Sequence, residues 1–328
     1  MSKTKTAPID KNQLITDQLV ALMERGVLPW KRPWKSGSGN DAEFQNVVTK
    51  HVYGGANPLW CLISNLSLGY ESPYFCTFNQ ARQFGWTIKP GSKSCWIRFA
   101  SSGTKEVESE SGEKTEERFG FAKWSSVFSI DAIDDSKADV KIAEIIAQPA
   151  DETPDNPDKQ IVSIEEFITK TRAIITHGGS RAYYSPISDE IRLPKFEQFG
   201  SAAGYYSTIL HELGHMSGSK DRLAREGIVG DANFGSQKYA AEELVAELCA
   251  CFVSSALFPE YLSIDLEHHA SYLDSWLSNL KSDNTAFFRA ISQAQKASKF
   301  LLDLGTKKAD LVESKLIPDS IHSLLVCV

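Results

Sequence analysis

The motif His-Glu-Leu-Gly-His at residues 211–215 constrains this chain more than any other segment. It follows a run with helical periodicity, and side chains four residues apart share one face of a helix. His211 and His215 can therefore reach the same tetrahedral metal ion at about 2.0–2.1 Å, while Glu212 lies beside them as a general base for water. By chance alone the pattern occurs in roughly one chain of this length per hundred. We therefore predict a Zn²⁺ site on a helix, with another divalent ion such as Mn²⁺ as an alternative.

A zinc site with two histidines needs a third protein ligand, which usually comes from a later element. A helical segment soon after the motif supplies three carboxylates. We predict that Glu243 binds the metal and that Glu247, one turn further along, accepts the N–H of a ligating imidazole. Glu242 is the alternative ligand, and a solvated helix face is the alternative to any metal role. The spacing of Glu243 and Glu247 after the His-Glu-x-x-His motif resembles that of the gluzincin metallopeptidases. A third histidine six residues after His215, as metzincins have, is absent, because position 221 is Asp.

Other residues near the motif could serve a peptidase. Residues 190–194 are predicted to form an exposed strand edge along which a substrate lies. Four tyrosines are candidates for stabilising an oxyanion, although packing is the favoured role for each: Tyr183, Tyr184, Tyr205 and Tyr239. His177 is interpreted as part of a surface turn rather than as a ligand. His268 and His269 are expected to cap or pack against a helix.

Charge is segregated along the 328 residues, although the formal net charge is only −7. Residues 1–100 hold 12 Lys/Arg and 6 Asp/Glu, residues 101–160 hold 7 and 15, and residues 161–328 hold 16 and 21. The length predicts two domains. We place them at 1–130 and 161–328, with an acidic linker at 131–160 whose composition is too polar to order itself.

Targeting signals and cysteine usage indicate a cellular compartment. The N-terminal segment lacks the apolar run of a signal peptide, and no stretch is long and apolar enough to span a membrane, so we expect a cytoplasmic protein with no membrane partner. The six cysteines form no C-x-x-C pair and are predicted to be reduced thiols.

Local patterns predict the elements of an α+β fold. In the first domain we expect helices at 15–23 and 58–66, a capped helix after Thr77, and a hairpin with strands at 95–99 and 119–122 around a mobile loop at 101–117. In the second domain a capping box at Ser163 opens a helix. Strands follow at 182–184 and 190–193, and helices run through 202–251, apart from a loop at 227–235, and through 268–304.

Aromatic and basic side chains concentrate in the first domain, which holds six of the seven tryptophans. Proteins bind single strands with a positive groove and with aromatic faces that stack bases, each stack contributing about 1–3 kcal/mol. We therefore predict DNA contacts from eight residues: Trp30, Lys31, Arg32, Trp34, Lys35, Lys89, Lys93 and Arg98. The alternative is that most of the tryptophans form the core of a small domain.

Several segments together resemble the ArdC antirestriction proteins of conjugative plasmids and phages. In the second half they are Ala-Tyr-Tyr-Ser-Pro-Ile-Ser-Asp-Glu-Ile-Arg-Leu-Pro from 182, the motif at 211–215, Phe-Gly-Ser from 234, Tyr-Ala-Ala-Glu-Glu-Leu-Val-Ala-Glu-Leu from 239 and His-Ala-Ser-Tyr-Leu-Asp-Ser-Trp-Leu from 269. In the first half they are Pro-Trp-Lys-Arg-Pro-Trp from 29, Asn-Pro from 57, Thr-Phe-Asn-Gln from 77 and Gly-Ser-Lys from 91. Residues 54–57, Gly-Gly-Ala-Asn, depart from the Arg-Gly-containing run expected there.

The resemblance implies a function for each half. It implies a small α/β N-terminal domain that binds single-stranded DNA and is shared with TraC-type primases. It also implies a mainly helical, zincin-like (gluzincin-type) metallopeptidase domain at the C-terminal end. Such a protein protects incoming plasmid or phage DNA from restriction in the cytoplasm of a bacterial donor or recipient cell, and its target is a host restriction enzyme or another host protein.

Two functional hypotheses follow from the sequence. In the first, Glu212 acts as the base of a zinc peptidase, and the N-terminal domain binds DNA. In the second, the chain is a non-catalytic protein that coats single-stranded DNA or occludes a restriction enzyme, with a purely structural metal. The presence of Glu212 favours the first hypothesis, because a structural metal site needs no base.

Overall fold

The computed structural model describes residues 10–31, 43–108, 114–146, 157–230, 236–257 and 270–306. It has the predicted α+β class, with an N-terminal domain of helices and short strands and a mainly helical C-terminal domain. Among the helices that it describes, none combines the length and the hydropathy needed to cross a membrane. Five buried cysteines are free thiols, as predicted, and Cys327 lies outside the described residues.

The N-terminal domain is built on a four-stranded sheet. Its helices are α1 (Lys11–Met23), α2 (Asn57–Leu68), α3 (Phe78–Gln83) and α4 (Ile142–Ile146). Its strands are β1 (Gln45–Asn46), β2 (Tyr74–Cys76), β3 (Thr87–Ile88), β4 (Cys95–Glu108), β5 (Lys114–Ser129) and β6 (Ile133–Asp134). The sheet has the order β1-β2-β5-β4, and β3 pairs with β6. The Thr77 capping box opens α3 as predicted, with the Gln80 amide N–H donating to the Thr77 hydroxyl.

The β4–β5 hairpin is longer than predicted. Its ladder runs from Cys95↔Val127 to Glu108↔Lys114, so the predicted mobile loop at 101–117 is wrong for residues 101–108 and 114–117, and residues 109–113 lie outside the described part. The Ser/Gly/Glu-rich composition was misleading because pairing of the two backbones satisfies their amides whatever the polarity of the side chains.

The first half of the acidic segment is ordered and its end belongs to a helix that begins at Pro157, so the prediction of an unstructured linker at 131–160 is wrong for residues 131–146 and 157–160. Residues 147–156 lie outside the described part. Ile133 and Ile142 are buried in a cluster with Val47 and Trp86 of the N-terminal domain. The Trp86 indole N–H also donates to the carbonyl of Val140 at 2.8 Å. A few apolar side chains among many acidic ones are enough to dock this segment, and the composition average hides them.

In the described part of the C-terminal domain, six helices accompany a small sheet, and α6 packs against that sheet. The helices are α5 (Pro157–Thr171), α6 (Ala202–Met216), α7 (Glu226–Val229), α8 (Gln237–Leu257), α9 (Ala270–Ser282) and α10 (Ala286–Thr306). The strands are β7 (Ile174–His177), β8 (Tyr183–Ser185) and β9 (Glu190–Leu193), in the order β7-β9-β8. Helix α5 begins six residues before Ser163, so this residue does not open the helix, and α7 occupies part of the predicted loop at 227–235.

One hydrophobic core joins the two domains. Leu19 of α1 and Leu59 of α2 belong to the same cluster as Leu248 of α8 and Phe287 of α10. A polar contact reinforces the junction, because the Thr16 hydroxyl donates to the carbonyl of Asn284 at 3.1 Å. The domains are therefore packed on each other through apolar side chains in addition to being joined by the chain.

Candidate metal centre

Close packing of α6 on α8 positions the site. The Ser201 hydroxyl caps α6 by accepting from the N–H of Gly204 at 3.0 Å, and the motif occupies the last two turns of the helix. Gly214 faces Ala246, where a Cβ on the glycine would lie 3.0 Å from the Ala246 Cα. Because glycine has no side chain, the backbones of α6 and α8 can approach each other closely, and this brings the motif next to the carboxylates of α8.

Three side chains from these helices converge on one point. His211 Nε2 lies 3.1 Å from His215 Nε2, and Glu243 oxygens lie 3.3 Å from the former and 3.5 Å from the latter. A tetrahedral metal with ligands at about 2.0–2.1 Å would hold them about 3.4 Å apart, so the set fits a small divalent cation. All three side chains are buried, and together they form the only His/Cys/Asp/Glu group within the described residues that could hold a metal.

Two further carboxylates face the outer ring nitrogens. Glu247 Oε2 lies 3.6 Å from His211 Nδ1, and Glu242 Oε1 lies 3.3 Å from His215 Nδ1. Each imidazole therefore has a carboxylate behind it that can orient the ring and favour the tautomer that directs Nε2 at a metal. This position of Glu242 contradicts its alternative role as the metal ligand.

A buried arginine, which the sequence analysis missed, holds Glu242 in place. Arg225 is 6% exposed and directs its guanidinium at the Glu242 carboxylate, with Nε 3.0 Å from Oε2. It also donates to the carbonyl of Gly214 at 2.6 Å and to the Ser217 hydroxyl at 2.7 Å. Arg225 thus ties the C-terminal end of α6 to α8. It precedes a four-residue helix in a region without periodicity, so no local pattern marks it.

The carboxylates change the protonation of the cluster. Burial lowers the pKa of His215, but hydrogen bonds to Glu242 and Glu243 outweigh it and raise that pKa to about 9. The pKa of His211 is also raised, because Glu243 and Glu247 outweigh its burial. Burial opposes ionisation of Glu243, yet the two histidines bring its pKa well below the ordinary value. The cluster thus favours bound positive charge, which either protons or a metal cation can supply.

Glu212 belongs to α6 and lies where this helix packs against the β7-β9-β8 sheet. It is 5% exposed, and burial raises its pKa despite the two neighbouring imidazoles, which lower it. The backbone N–H of Tyr184 in β8 lies near enough to its carboxylate to lower that pKa slightly. Strand β8 is an edge of its sheet, whereas β9 is paired on both sides. The predicted substrate edge at 190–194 is therefore wrong, because the pairing order leaves β8 at the edge and next to Glu212.

The tyrosines and outlying histidines have separate roles. Burial raises the pKa of Tyr239, as do the charge of Glu243 and hydrogen bonds to Tyr272 and Glu243, so its hydroxyl lies at the cluster. Tyr272, which the sequence analysis missed, has its ring centroid 5.8 Å from that of Tyr239. The Tyr184 hydroxyl donates to Asp189, Tyr205 pairs with His177 at 2.9 Å, and Tyr183 is exposed. His268 and His269 lie outside the described residues.

The predicted DNA-contacting residues divide into three groups. Trp30 is 1% exposed, so its proposed role in base stacking is wrong. Its ring instead packs edge-on against Trp276 at 5.9 Å in the core between the domains. Three cations are exposed on the surface: Lys89, Lys93 and Arg98. The remaining predicted contacts lie outside the described residues or have side chains that the structure does not describe: Lys31, Arg32, Trp34 and Lys35.

Comparisons with protein families match both halves of the chain. Residues 10–128 match the family described as the N-terminal domain of anti-restriction factor ArdC. Residues 162–293 match the family described as zincin-like metallopeptidase. The second match contains all three clustered side chains, and the first contains the four-stranded sheet except for the last residue of β5.

Known proteins resemble the chain over most of its length. Two crystal structures of the antirestriction protein ArdC from plasmid R388 are similar: the metal-free one has 32% identity and a TM-score of 0.64, covering 90% of this chain and 98% of that one. The Mn(II)-bound one has 30% identity and a TM-score of 0.66, covering 91% and 99%. An uncharacterized protein, y4eC of Sinorhizobium fredii, is 29% identical over 91% of this chain and 94% of its own. DNA primase TraC of Escherichia coli is 30% identical over 90% of this chain, which spans only 27% of the primase.

Proposed function

Because this chain belongs to the ArdC family of antirestriction proteins, we propose that it binds single-stranded DNA through its N-terminal domain and carries a zinc-dependent peptidase site in its C-terminal domain. Both activities would protect incoming plasmid or phage DNA from restriction in the cytoplasm of a bacterial cell. The observation that carries the proposal is the convergence of His211, His215 and Glu243 at 3.1–3.5 Å beside Glu212.

The donor set supports a divalent metal, and we propose Zn²⁺. Two imidazole nitrogens and one carboxylate oxygen form a donor set that zinc peptidases use, and they leave a fourth position open for water. The Mn(II)-bound relative supports a divalent ion without selecting zinc. When bound, the ion would supply Lewis acidity that activates water and polarises a peptide carbonyl.

The side chains around the metal would divide the remaining work. Glu212 would take a proton from water, and its burial, which raises its pKa above the ordinary value, makes it a stronger base. The nearby Tyr184 N–H would favour the ionised form of the Glu212 carboxylate. Tyr239 presents its hydroxyl beside Glu243, from where it can donate a hydrogen bond to a developing oxyanion. A peptide substrate would add to the sheet along the free edge of β8.

Two observations support single-stranded DNA as the partner of the N-terminal domain. The domain matches the ArdC N-terminal family, and TraC, a DNA primase, is 30% identical over 90% of this chain. Lys89, Lys93 and Arg98 remain exposed, and the Arg98 guanidinium lies 5.9 Å from the ring centroid of Trp124. Exposed cations of this kind neutralise phosphates and release counterions.

Metal analysis and a transfer assay test the proposal together. Elemental mass spectrometry of protein purified without added metal should find about one zinc per chain, lost in His215→Ala and retained in Glu212→Gln. Glu212→Gln should abolish peptide cleavage, and it should reduce plasmid establishment in a restricting recipient but not in a restriction-deficient one. Fluorescence anisotropy should show that the full chain binds an oligo(dT) with steep salt dependence. If the Glu212→Gln variant still cleaved peptides, Glu212 would be excluded as the general base.

A second function is favoured by the deep burial of the cluster, because structural metal sites are closed. In that case the chain would coat single-stranded DNA or occlude a restriction enzyme, with the metal holding α6 against α8. Glu212→Gln would then protect the plasmid as well as wild type. His215→Ala would lose protection only in proportion to the loss of folded protein, measured by circular dichroism.

A further inference from the structure

The two faces of the β4–β5 hairpin have different surroundings. Directly paired residues of antiparallel strands point to the same face, so the pair Arg98↔Trp124 lies on one face and the pair Phe99↔Lys123 on the other. The Trp124 ring packs 5.2 Å from Trp60 of α2, within the junction between the domains. The opposite face is open at Phe99, whose side chain is 41% exposed.

A concave pocket of about 140 Å³ lies on this open face. Apolar side chains from both strands and polar side chains from β1 and the segment after it line it together: Ile97, Phe99, Val127, Asn46, His51 and Tyr53. None of the described residues that line it carries a carboxylate. The pocket thus combines an exposed aromatic face with polar groups at the rim, which suits a flat, partly polar ring.

Tyr53 has a hydroxyl for which the described residues provide no hydrogen-bond partner. The residue is 3% exposed, and burial raises the pKa of its hydroxyl well above the ordinary value. The Asn46 side chain is close enough to lower that pKa in part, but it makes its hydrogen bonds elsewhere: its amide exchanges hydrogen bonds with Gln80, and its oxygen accepts from the N–H of Thr49. An unpaired buried hydroxyl is costly in the free protein. Because the hydroxyl is closed to solvent, a ligand in the pocket would have to displace the side chains that cover it before it could hydrogen-bond to it.

Two lysines are neighbours of residues that line the pocket. Lys123 is exposed and is the cross-strand partner of Phe99, and Lys50, whose ammonium donates to the carbonyl of Ile145 at 2.6 Å, precedes His51. The His51 ring lies 6.3 Å from that of Tyr53 at an angle of 64°. The occupant that fits is therefore an aromatic ring with hydrogen-bonding edges, attached to an anionic chain. A nucleobase of single-stranded DNA has all of these properties, because it is flat, polar at its edges and linked to phosphates.

We propose that this pocket binds one unstacked base of the single strand, with Phe99 as the stacking platform, the Tyr53 hydroxyl on the base edge and Lys123 near the adjacent phosphate. The inference rests on the proposed DNA-binding function and deepens it by naming its base-binding residues. Phe99 takes the base-stacking role that the sequence predicted for Trp30, which is buried in the core.

Affinity measurements on the full chain test the stacking role. Phe99→Ala should weaken binding of a fluorescent oligo(dT) by about tenfold, as expected for the loss of one stacked base, without changing the slope of log Kd against log salt concentration. Lys123→Ala should lower that slope instead. Phe196→Ala is the matched control, because Phe196 is 47% exposed in the other domain. An abasic oligonucleotide should bind wild type and Phe99→Ala equally.

The Tyr53 hydroxyl offers an independent test. Tyr53→Phe removes a buried group that lacks a partner, so the free protein should unfold at the same temperature or a higher one, while the affinity for DNA falls. Photocrosslinking with 5-bromodeoxyuridine in the oligonucleotide should label a peptide that contains Phe99 or Tyr53. Lower stability together with unchanged affinity would show that the hydroxyl has only a structural role and would overturn its assignment.

The outcomes separate the pocket from the wider function. If wild type fails to bind any single strand, the proposed DNA-binding function is wrong and the pocket assignment fails with it. If wild type binds but Phe99→Ala matches Phe196→Ala, DNA binding stands and the pocket is refuted. If Phe99→Ala keeps its DNA affinity yet loses plasmid protection, the pocket recognises a protein side chain, which also overturns the proposal.

Discussion

Gly214 and Ala246 bring two helices into contact at the candidate metal centre. A methyl group on Gly214 would lie 3.0 Å from the Cα and 3.1 Å from the carbonyl oxygen of Ala246, closer than side chains ordinarily approach. Both partner atoms belong to the backbone of α8, so neither can rotate away. The glycine is therefore the point at which the spacing between His215 and Glu243 is set.

Replacing Gly214 by Ala should destabilise the protein by about 1–3 kcal/mol, as overpacking does, although alanine favours a helix by about 1 kcal/mol. The displaced α8 should also bind zinc more weakly in a competition titration with a chelator. Gly200→Ala, where a Cβ would meet nothing within 4 Å, is the control and should change neither quantity. A Gly214→Ala protein as stable as wild type would contradict this role of close packing.

Arg225 should be essential to the fold because it compensates a buried carboxylate. Arg225→Met leaves the Glu242 charge without its main partner and should cost about 3–5 kcal/mol of unfolding free energy in urea titrations. The double change Arg225→Met with Glu242→Leu should cost less than the single one, since it removes both buried charges. Lys299→Ala, which breaks an exposed ion pair with Asp303, should have little effect.

The stability that metal adds to the protein should depend on pH. Hydrogen bonds to Glu242 and Glu243 outweigh burial and raise the folded-state pKa of His215 to about 9. In the metal-free protein this histidine therefore contributes stability that is complete below about pH 6.5 and lost as the pH rises towards 9. Metal binding displaces protons and strengthens over the same interval. The increase in Tm on adding zinc should therefore grow from about pH 6 to about pH 9.

Two controls keep the pH prediction specific. His215→Gln cannot take up the proton, so its metal-free form should lose the part of the pH dependence that His215 contributes. A zinc-induced increase in Tm that stays constant across the interval would show that protons and metal do not compete at this cluster.

Trp30 should prove to be a structural residue. Its ring is buried against Trp276, and the Cys251 thiol lies 3.1 Å from its carbonyl oxygen. Trp30→Ala should lower the unfolding free energy by about 3–5 kcal/mol. Trp30→Phe should be milder and should bind oligo(dT) as wild type does once concentrations are corrected for the folded fraction. Selective loss of DNA affinity by Trp30→Phe would restore the stacking role.

The shared core predicts that the two domains stay together when the chain is cut. A protease site placed within residues 147–156 and then cleaved should leave the two pieces co-eluting in gel filtration, because α1 and α2 share a core with α8 and α10. A fragment that ends near residue 130 would instead expose Leu19, Leu59 and their neighbours to water and should aggregate. Separation of the cleaved pieces in native buffer would refute this prediction.

The three clustered side chains were predictable because their signal is local. The four-residue spacing of His211 and His215 and the helical position of Glu243 survive any tertiary arrangement that pairs the two helices. The roles of Glu242 and Arg225 were not predictable. Neighbouring carboxylates on α8 differ only in which imidazole they face, and that depends on the angle and distance at which two helices pack.

The sequence by itself determined the α+β class, most helices and the metal motif. These follow from helical periodicity, capping residues and fixed spacing, all of which act within a few residues. Tertiary structure alone decided that Trp30 is buried, that β8 rather than β9 lies at an edge of its sheet, that residues 131–146 are ordered and that Phe99 opens onto a pocket. Each of these depends on contacts between segments distant in the chain, where burial and strand order are set by packing free energy rather than by local preference.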